Sequence, residues 1–203
     1  VNSEFNYPKY FAMIPTGQNT KPSFTEGFIE VAAKNKLQTV ALVAADAEFA
    51  NNACDGARDN VKKNNLKIVY DRKYPPATTD FTPIVRAIQA ANPDAVVICS
   101  YPPDSVGMVR AATEIGLRTQ LFGGAMVGMQ YASLIGQLSE KLNRVVNYHF
   151  FVPSPKMSFP GIEDFLKKYQ ARAKDSGVDP LGFYQPPFAY AAMQILEQAI
   201  KAT

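Results

Sequence analysis

Five side chains stand where predicted strands of this chain end, and their types suit contact with a small molecule. They are Phe49, Ser100, Tyr101, Ala125 and Met126. Aromatic walls with a few polar groups are typical of small-molecule pockets. A place in the ordinary core fits Phe49 equally well, whereas Tyr101 is held between a strand end and two prolines. The pattern therefore predicts a binding site whose residues contact a ligand without reacting with it.

Sequence motifs for catalysis and for phosphate binding are absent. The first buried run leads into AADAEFANNACDG, which matches neither G-x-G-x-x-G nor G-x-x-x-x-G-K-[ST], and no G-x-S-x-G nucleophile motif occurs. The single histidine, His149, lies in an apolar run with no Cys, Asp or Glu cluster beside it, which predicts a packed strand residue. We therefore expect no catalytic residue, no metal and no cofactor.

Two acidic residues, Asp46 and Glu48, follow a predicted strand at a position where a catalytic acid would stand. We favour a capping or gating role for them, and Asp46 is also a candidate ligand contact. The neighbouring acids Glu163 and Asp164 fall on a predicted helix surface, where solvation is the expected role. A binding protein is therefore the prediction, with an α/β enzyme as the weaker alternative.

Length, composition and charge narrow the class further. The chain has 203 residues, of which 47% are hydrophobic and 19% charged, enough for one large domain or one and a half small ones with a real core. The net charge of +3 comes from scattered basic residues, so we expect no nucleic-acid partner. No apolar run approaches the roughly 18 residues of a membrane span. The chain begins at Val1 without a signal peptide, which suggests a processed product or a fragment.

The two cysteines, Cys54 and Cys99, are too few for a disulfide framework. Cys99 lies in a predicted strand and Cys54 on the helix that follows another strand. The interpretation we favour is a pair of buried small hydrophobic residues, with a bridge between them as the alternative.

A strand–helix–strand unit positions several of the candidate contacts. The apolar run Ala95–Ser100 predicts a strand buried on both faces, and Pro102 and Pro103 cannot continue it. Asp104 or Ser105 is expected to cap the next helix, which a glycine at position 116 closes, and a second strand follows at 119–122. In parallel α/β sheets, ligands bind beyond the carboxyl ends of the strands.

The same alternation of strands and helices extends over most of the chain. Strands are predicted at 10–14, 39–45, 67–70, 95–100, 119–122 and 144–151. Helices are predicted at 20–35, 83–91 and 131–142, and a further helix begins within 46–52 and ends at about 64. The pattern predicts an α/β fold with a doubly wound, mainly parallel sheet within about 20–151. After the Pro-rich stretch 152–155, two predicted helices at 162–174 and 188–201 follow with no strand between them. We interpret them as part of a second body.

The order and spacing of several segments resemble the type I periplasmic solute-binding proteins of ABC importers, in the leucine/isoleucine/valine-binding branch. The matching segments are KLQTVALVAADAEFANNACDGARDNVKK, YPPATTDFTPIVRAIQAANPDAVVICSY, MVRAATEIGLRTQLFGG and FAYAAMQILEQAI. The resemblance implies two α/β lobes joined by three crossovers, with the ligand between them. It divides this chain into an initial strand and crossover at 1–19, the second lobe at 20–151, and a return crossover with helices of the incomplete first lobe at 152–203.

The resemblance also implies roles for individual residues. Phe49 falls where amino-acid binders often have the tyrosine of a Tyr-Gly pair, and here the pair is Phe49-Ala50. Tyr101 falls at an aromatic contact next to a strand end. Tyr184, near the return to the first lobe, is expected to line the cleft from the other side. The carboxylate-binding residues of the family lie in the part of the first lobe that this chain lacks.

One position separates this chain from the amino-acid binders it resembles. Their cleft loop carries a glutamate that pairs with the ligand ammonium, and the loop 123–128 has Ala125 at that position. Burying an ammonium without a carboxylate costs several kcal/mol. Either Asp46 or Asp104 replaces the glutamate, or the ligand has no amine.

The resemblance therefore implies a periplasmic or extracytoplasmic substrate-binding component of an ABC importer, monomeric when intact, with a membrane permease as its partner. Its ligand is expected to be a small organic carboxylate, either an amino acid or an amine-free or aromatic acid. A ligand-sensing regulatory or receptor domain of the same fold is the alternative.

Overall fold

A five-stranded parallel sheet forms the centre of the structure, in the order β2-β1-β3-β4-β5. The strands are β1 (Thr39–Ala45), β2 (Lys67–Tyr74), β3 (Ala95–Ser100), β4 (Leu121–Met126) and β5 (Val145–Asn147). The computed structural model describes residues 20–202, apart from the side chains of Thr20 and Lys174. The predicted strand at 10–14, and with it the proposed crossover at 1–19, lies outside the described residues. The parallel α/β architecture confirms the predicted fold class.

Helices cover both faces of the sheet. They are α1 (Thr20–Ser23), α2 (Glu26–Lys34), α3 (Glu48–Lys63), α4 (Thr82–Ala91), α5 (Pro102–Ile115), α6 (Ala132–Leu138), α7 (Ile162–Ser176) and α8 (Pro186–Lys201), with short 3-10 turns at Ser139–Leu142 and Pro155–Met157. Because of this cover, β3 and β4 are buried along their whole length, as apolar strands of parallel sheets are. None of the helices within 20–202 has both the length and the apolar composition of a membrane-spanning segment.

Proline and glycine place the ends of α5. Pro102 and Pro103 occupy its first two positions, and Gly116 ends it in the left-handed conformation with φ 67°. The prediction of a cap at Asp104 or Ser105 is therefore wrong by about one turn, since the N-cap residue is Tyr101. Proline suits the first helical turn because its φ is already helical and its missing N–H would have no partner there.

The prediction that β4 ends at residue 122 is also wrong, because Gly123 and Gly124 lie inside the strand and not in a turn. Gly123 pairs with β3 on one side and with Val146 of β5 on the other. A Cβ atom on Gly123 would stand 2.0 Å from the Val146 carbonyl oxygen. The close approach of the β4 and β5 backbones thus explains why position 123 is a glycine. The strand continues to Met126.

Other predicted boundaries shift for local reasons. The predicted strand at 144–151 is reduced to β5, because the Asn147 side chain takes over the bonding to β4: its Nδ2 donates to Met126 O at 2.7 Å and its Oδ1 accepts from Met126 N at 2.8 Å. His149 consequently lies beyond the strand, not within it as predicted. The helix predicted at 20–35 is two helices, α1 and α2, and the strand predicted at 67–70 runs on to Tyr74.

The buried apolar residues form two clusters. The larger one surrounds the sheet. The smaller one is built on Phe151, Ile162 and Leu166, and the ring of Phe165 stacks on Tyr190 there with centroids 4.6 Å apart. This second cluster joins α7 to α8 and includes no strand of the sheet. The assignment of 152–203 to a separate body stays a prediction.

A disulfide joins Cys54 of α3 to Cys99 of β3, with Cα atoms 6.0 Å apart. Both residues are almost fully buried. The expectation of two unbridged hydrophobic residues is therefore wrong, because α3 packs directly against β3 and brings the two side chains together.

Replacing both cysteines with alanine is expected to lower the free energy of unfolding by about 2–4 kcal/mol, because the bridge joins positions 45 residues apart and restricts the unfolded chain. Urea unfolding of the oxidised protein and of the double variant measures the difference. A reductant in the denaturation series should weaken the wild type and leave the variant unchanged. Equal stability of the oxidised wild type and the variant would contradict the prediction.

The carboxylate of Asp94 ties the start of β1 to the start of β3. Its Oδ2 accepts hydrogen bonds of 2.9 Å from the backbone N–H groups of Gln38 and Thr39 and from Thr39 Oγ1. These bonds, first the one from Gln38, hold the pKa of Asp94 below its ordinary value. The charged form of Asp94 therefore stabilises the register between the two strands.

Asp94→Asn is expected to lower the free energy of unfolding at neutral pH by about 1–3 kcal/mol, since a neutral amide oxygen accepts these bonds more weakly. Because the pKa of Asp94 is lower in the folded state, its contribution is complete above about pH 4 and is lost as the pH falls through the lowered value. Urea unfolding across this range should show wild type and variant converging in acid. The control Asp59→Asn, at an exposed position, should give no such convergence. A constant difference between wild type and Asp94→Asn would contradict the prediction.

Candidate functional site

A cavity of about 560 Å³ lies between the carboxyl ends of the strands and the first half of α8. Five of its lining residues follow strands within four residues: Phe49 after β1, Tyr101 after β3, Val127 after β4, and Tyr148 and Phe150 after β5. The others come from the link between α1 and α2, from the segment before α8 and from α8 itself: Phe24, Tyr184, Gln185, Phe188, Ala189 and Ala192. The cavity thus occupies the edge of the sheet at which ligands of this architecture bind.

Edge-to-face aromatic contacts build the wall on the side of the sheet. The ring of Phe24 contacts Phe49 at a centroid distance of 5.2 Å and Tyr148 at 5.4 Å. Phe49 in turn contacts Tyr101 at 6.0 Å. Such contacts favour one arrangement of the rings and so limit the shape of the cavity.

A second run of rings carries the wall across to α8. Phe150 contacts Tyr148 at 5.3 Å, Tyr184 at 5.4 Å and Phe188 at 5.5 Å. Phe150 and Tyr148 follow β5, whereas Tyr184 and Phe188 stand at the start of α8. The aromatic lining is therefore continuous from the end of β5 to the start of α8.

Three of the predicted site residues, Phe49, Tyr101 and Tyr184, meet in this cavity. The backbone N–H of Phe49 donates a hydrogen bond to the Tyr101 hydroxyl oxygen at 3.3 Å. This N–H belongs to the first turn of α3, where backbone donors have no partner within the helix. Tyr101 therefore positions the start of the helix that carries Phe49.

Three other predicted contacts, Ser100, Ala125 and Met126, are fully buried at the ends of β3 and β4 and do not line the cavity. Ser100 Oγ forms a 2.8 Å hydrogen bond with Ser105 Oγ, which also donates to the Tyr101 carbonyl oxygen at 3.0 Å. The structure thus places Ser100 beneath the Tyr101 backbone. Direct contact of these three residues with a ligand stays a prediction.

The two acids considered as ammonium partners also lie outside the lining. Asp46 is exposed, where it accepts a 3.0 Å hydrogen bond from Asn51 Nδ2 and stands 3.5 Å from Lys73 Nζ. The bond from Asn51 and the charge of Lys73 lower the pKa of Asp46. Asp104 is buried and accepts a 3.1 Å hydrogen bond from the Tyr74 hydroxyl.

The cavity is polar only through neutral groups. Among its described lining residues none carries a formal charge, and the polar side chains are three tyrosines and Gln185. The described residues also contain no cluster of three or more His, Cys, Asp or Glu side chains suited to a metal. The arrangement favours an aromatic or apolar molecule with a few oxygen atoms.

Sequence reasoning missed four of the lining rings: Phe24, Tyr148, Phe150 and Phe188. The helix predicted at 20–35 contains Phe24, and the strand predicted at 144–151 contains 148–150, so neither prediction placed these residues in a cavity. The one available signal was the position of Tyr148 after an apolar run of the predicted sheet, the same signal that singled out Tyr101.

Tyr101→Phe is expected to lower the free energy of unfolding by about 0.5–1.5 kcal/mol, because the Phe49 N–H loses its acceptor while the ring contacts remain. Chemical denaturation provides the measurement. Tyr190→Phe is the matched control, since Tyr190 packs in the second cluster away from this cavity. An equal loss in both variants would show that the hydrogen bond contributes nothing specific.

Comparison with known proteins gives a consistent picture. The profile of the family described as "Periplasmic binding protein" matches residues 1–203. The Leu/Ile/Val-binding protein homolog 7 of Brucella abortus (strain 2308) is 26% identical over 161 residues, which are 78% of this chain and 39% of that protein. This chain therefore spans less than half of the length of that relative.

Two solved structures share the fold. A leucine binding protein from Thermotoga maritima MSB8 matches with a TM-score of 0.68 at 20% identity, over 90% of this chain and 50% of that one. A solute binding protein of an ABC transporter from Rhodopseudomonas palustris BisB5, in complex with 3,4-dihydroxy benzoic acid, matches with a TM-score of 0.65 at 21% identity, over 88% and 48%.

Proposed function

The chain belongs to the periplasmic binding protein family, and from this membership we propose that it acts as the substrate-binding component of an ABC importer. In this proposal a monomeric protein in the periplasm, or another extracytoplasmic space, captures a small organic carboxylate and delivers it to a membrane permease. Residues 20–151 are the second lobe, and 152–203 are the return crossover with helices of the first lobe.

The observation that carries this proposal is the aromatic cavity between the strand ends and α8. Its volume of about 560 Å³ lies in the range of small-molecule sites, and Tyr101 and Tyr184 approach it from opposite bodies. A ligand that contacts both bodies stabilises the closed arrangement over the open one, so binding favours hinge closure. The segment 152–155, which connects the two bodies, is the proposed hinge.

The chemistry of the lining favours an amine-free aromatic acid over an amino acid. The described lining offers no carboxylate to an ammonium group, and Asp46 and Asp104 are bonded elsewhere. Ala125, which stands where the resemblance expects a glutamate, is an apolar residue of β4. The fold itself favours neither kind of ligand, since its structural relatives include a leucine binding protein and a complex with 3,4-dihydroxy benzoic acid.

A ligand panel tests the proposal on the protein at its full natural length. Benzoate or a hydroxybenzoate at 100 times its dissociation constant is expected to add about 2.7 kcal/mol to the free energy of unfolding, seen as a rise in Tm. Leucine and valine should give no rise, because their ammonium groups would be buried without a partner.

Two alanine variants control for the site. Phe49→Ala should abolish the ligand-dependent rise, whereas Phe159→Ala, which removes a ring from the second cluster, should retain it. Stabilisation by leucine or valine alone would contradict the preference for amine-free acids and leave an amino-acid importer. Absence of stabilisation by any carboxylate would contradict the binding function.

A further inference from the structure

We propose that the hydroxyl groups of Tyr148 and Tyr184 bind a hydroxyl substituent on the ring of the ligand and so select hydroxylated aromatic acids over unsubstituted ones. The inference rests on the proposed function, because it assigns a finer specificity to the same cavity. The resemblance to the family does not predict this role for either residue. It places Tyr184 in the lining of the cleft and says nothing of Tyr148.

Tyr148 is held at the edge of the sheet by its own backbone. It follows β5, and its N–H donates a 3.1 Å hydrogen bond to the Gly124 carbonyl oxygen of β4. Its ring packs edge-to-face against Phe24 on one side and Phe150 on the other. These contacts fix the ring, so the position of its hydroxyl is set before a ligand arrives.

Tyr184 reaches the same cavity from the other body. It lies just before α8, and its ring contacts Phe150 at 5.4 Å and Tyr131 at 5.3 Å. Phe150 thus touches both tyrosines. Because both rings contact Phe150, closure of the bodies brings the two hydroxyl groups onto one ligand.

The hydrogen-bonding capacity of both hydroxyl groups is unused. Within residues 20–202, neither Tyr148 Oη nor Tyr184 Oη has a hydrogen-bond partner, although both side chains are half-buried in the lining. By contrast, Tyr74 Oη donates to Asp104 and Tyr101 Oη accepts from Phe49. Neither oxygen is among the buried unpartnered atoms of the described residues, so a ligand that fills the cavity is what removes water from them. Tyrosine hydroxyls that lose water normally find another partner, and an oxygen of the ligand supplies one here.

The type of ligand oxygen follows from the charge of the site. Burial raises the pKa of Tyr148, with the nearby Tyr184 adding to the effect, and burial also raises the pKa of Tyr184. Both groups are therefore neutral at physiological pH, and each can donate one hydrogen bond and accept others. A phenolic hydroxyl, which also donates and accepts, matches such a pair. A carboxylate would need a cation that the described lining does not offer.

The site is expected to distinguish hydroxylated from unsubstituted aromatic acids, because an unsubstituted ligand leaves the hydroxyl groups of Tyr148 and Tyr184 without hydrogen-bond partners. A site built to hydrogen-bond a hydroxyl group rejects the analogue that lacks it, since the polar groups of the protein then lose water without replacement. The aromatic walls bind the ring of either ligand, so the difference between the two ligands isolates the contribution of the tyrosines.

The experiment compares the dissociation constants of benzoate, 3-hydroxybenzoate and 4-hydroxybenzoate by calorimetry, using the protein at its full natural length. The wild type should bind one of the hydroxybenzoates at least tenfold more tightly than benzoate. Tyr148→Phe and Tyr184→Phe should each weaken that hydroxybenzoate about tenfold and benzoate less than twofold. The double variant should bind the two ligands equally, and Tyr190→Phe should behave as the wild type.

The outcomes separate this inference from the proposed function. Equal binding of benzoate and both hydroxybenzoates by the wild type, or equal weakening of all ligands in the phenylalanine variants, would overturn the inference and leave an aromatic-acid binding protein. If the wild type binds none of the three acids, both the inference and the aromatic-acid proposal fail. Thermal melts of the ligand-free variants verify folding, and since each substitution keeps the ring, Tm should stay near that of the wild type.

Discussion

The parallel pairing of β3 with β1 on one side and β4 on the other orders the rest of the structure. Ala95 to Cys99 pair with Val40 to Ala44, and the same strand pairs with Leu121 to Met126. These strands are apolar on both faces, so the chain must place helices above and below them to remove the faces from water. Because the strands are parallel, the residues that follow them emerge at one edge. The aromatic cavity forms at that edge, because the residues that follow the strands line it.

The same contacts that stabilise the sheet also position the site. The Cys54–Cys99 bridge ties α3, which carries Phe49, to β3, which Tyr101 follows. The Ser100–Ser105 hydrogen bond lies beneath Tyr101. The cavity wall on the side of the sheet is therefore held by the sheet itself, while α8 contributes Tyr190 to the other cluster. Two separately packed walls are compatible with the proposed hinge closure.

Local patterns predicted most of the fold and part of the site. Apolar runs rich in β-branched residues indicated the strands, and the periodic segments between them indicated the helices. The errors occurred where a local signal had another cause. Gly123 and Gly124 signalled a turn but allow close packing of β4 against its neighbours. The run around His149 signalled a strand, but the Asn147 side chain ends the pairing there.

The sequence by itself determined the α/β class, the absence of catalytic motifs, and the position of Phe49 and Tyr101 after buried strands, because these features depend on neighbouring residues. Only the tertiary structure decided which distant residues meet. It joined Cys54 to Cys99, placed Asp46 and Asp104 away from the cavity, and brought Tyr148 into one cavity with Phe24 and with Phe188 of α8. Distances between segments far apart in the chain follow from packing of the whole fold, and no local pattern of residues encodes them.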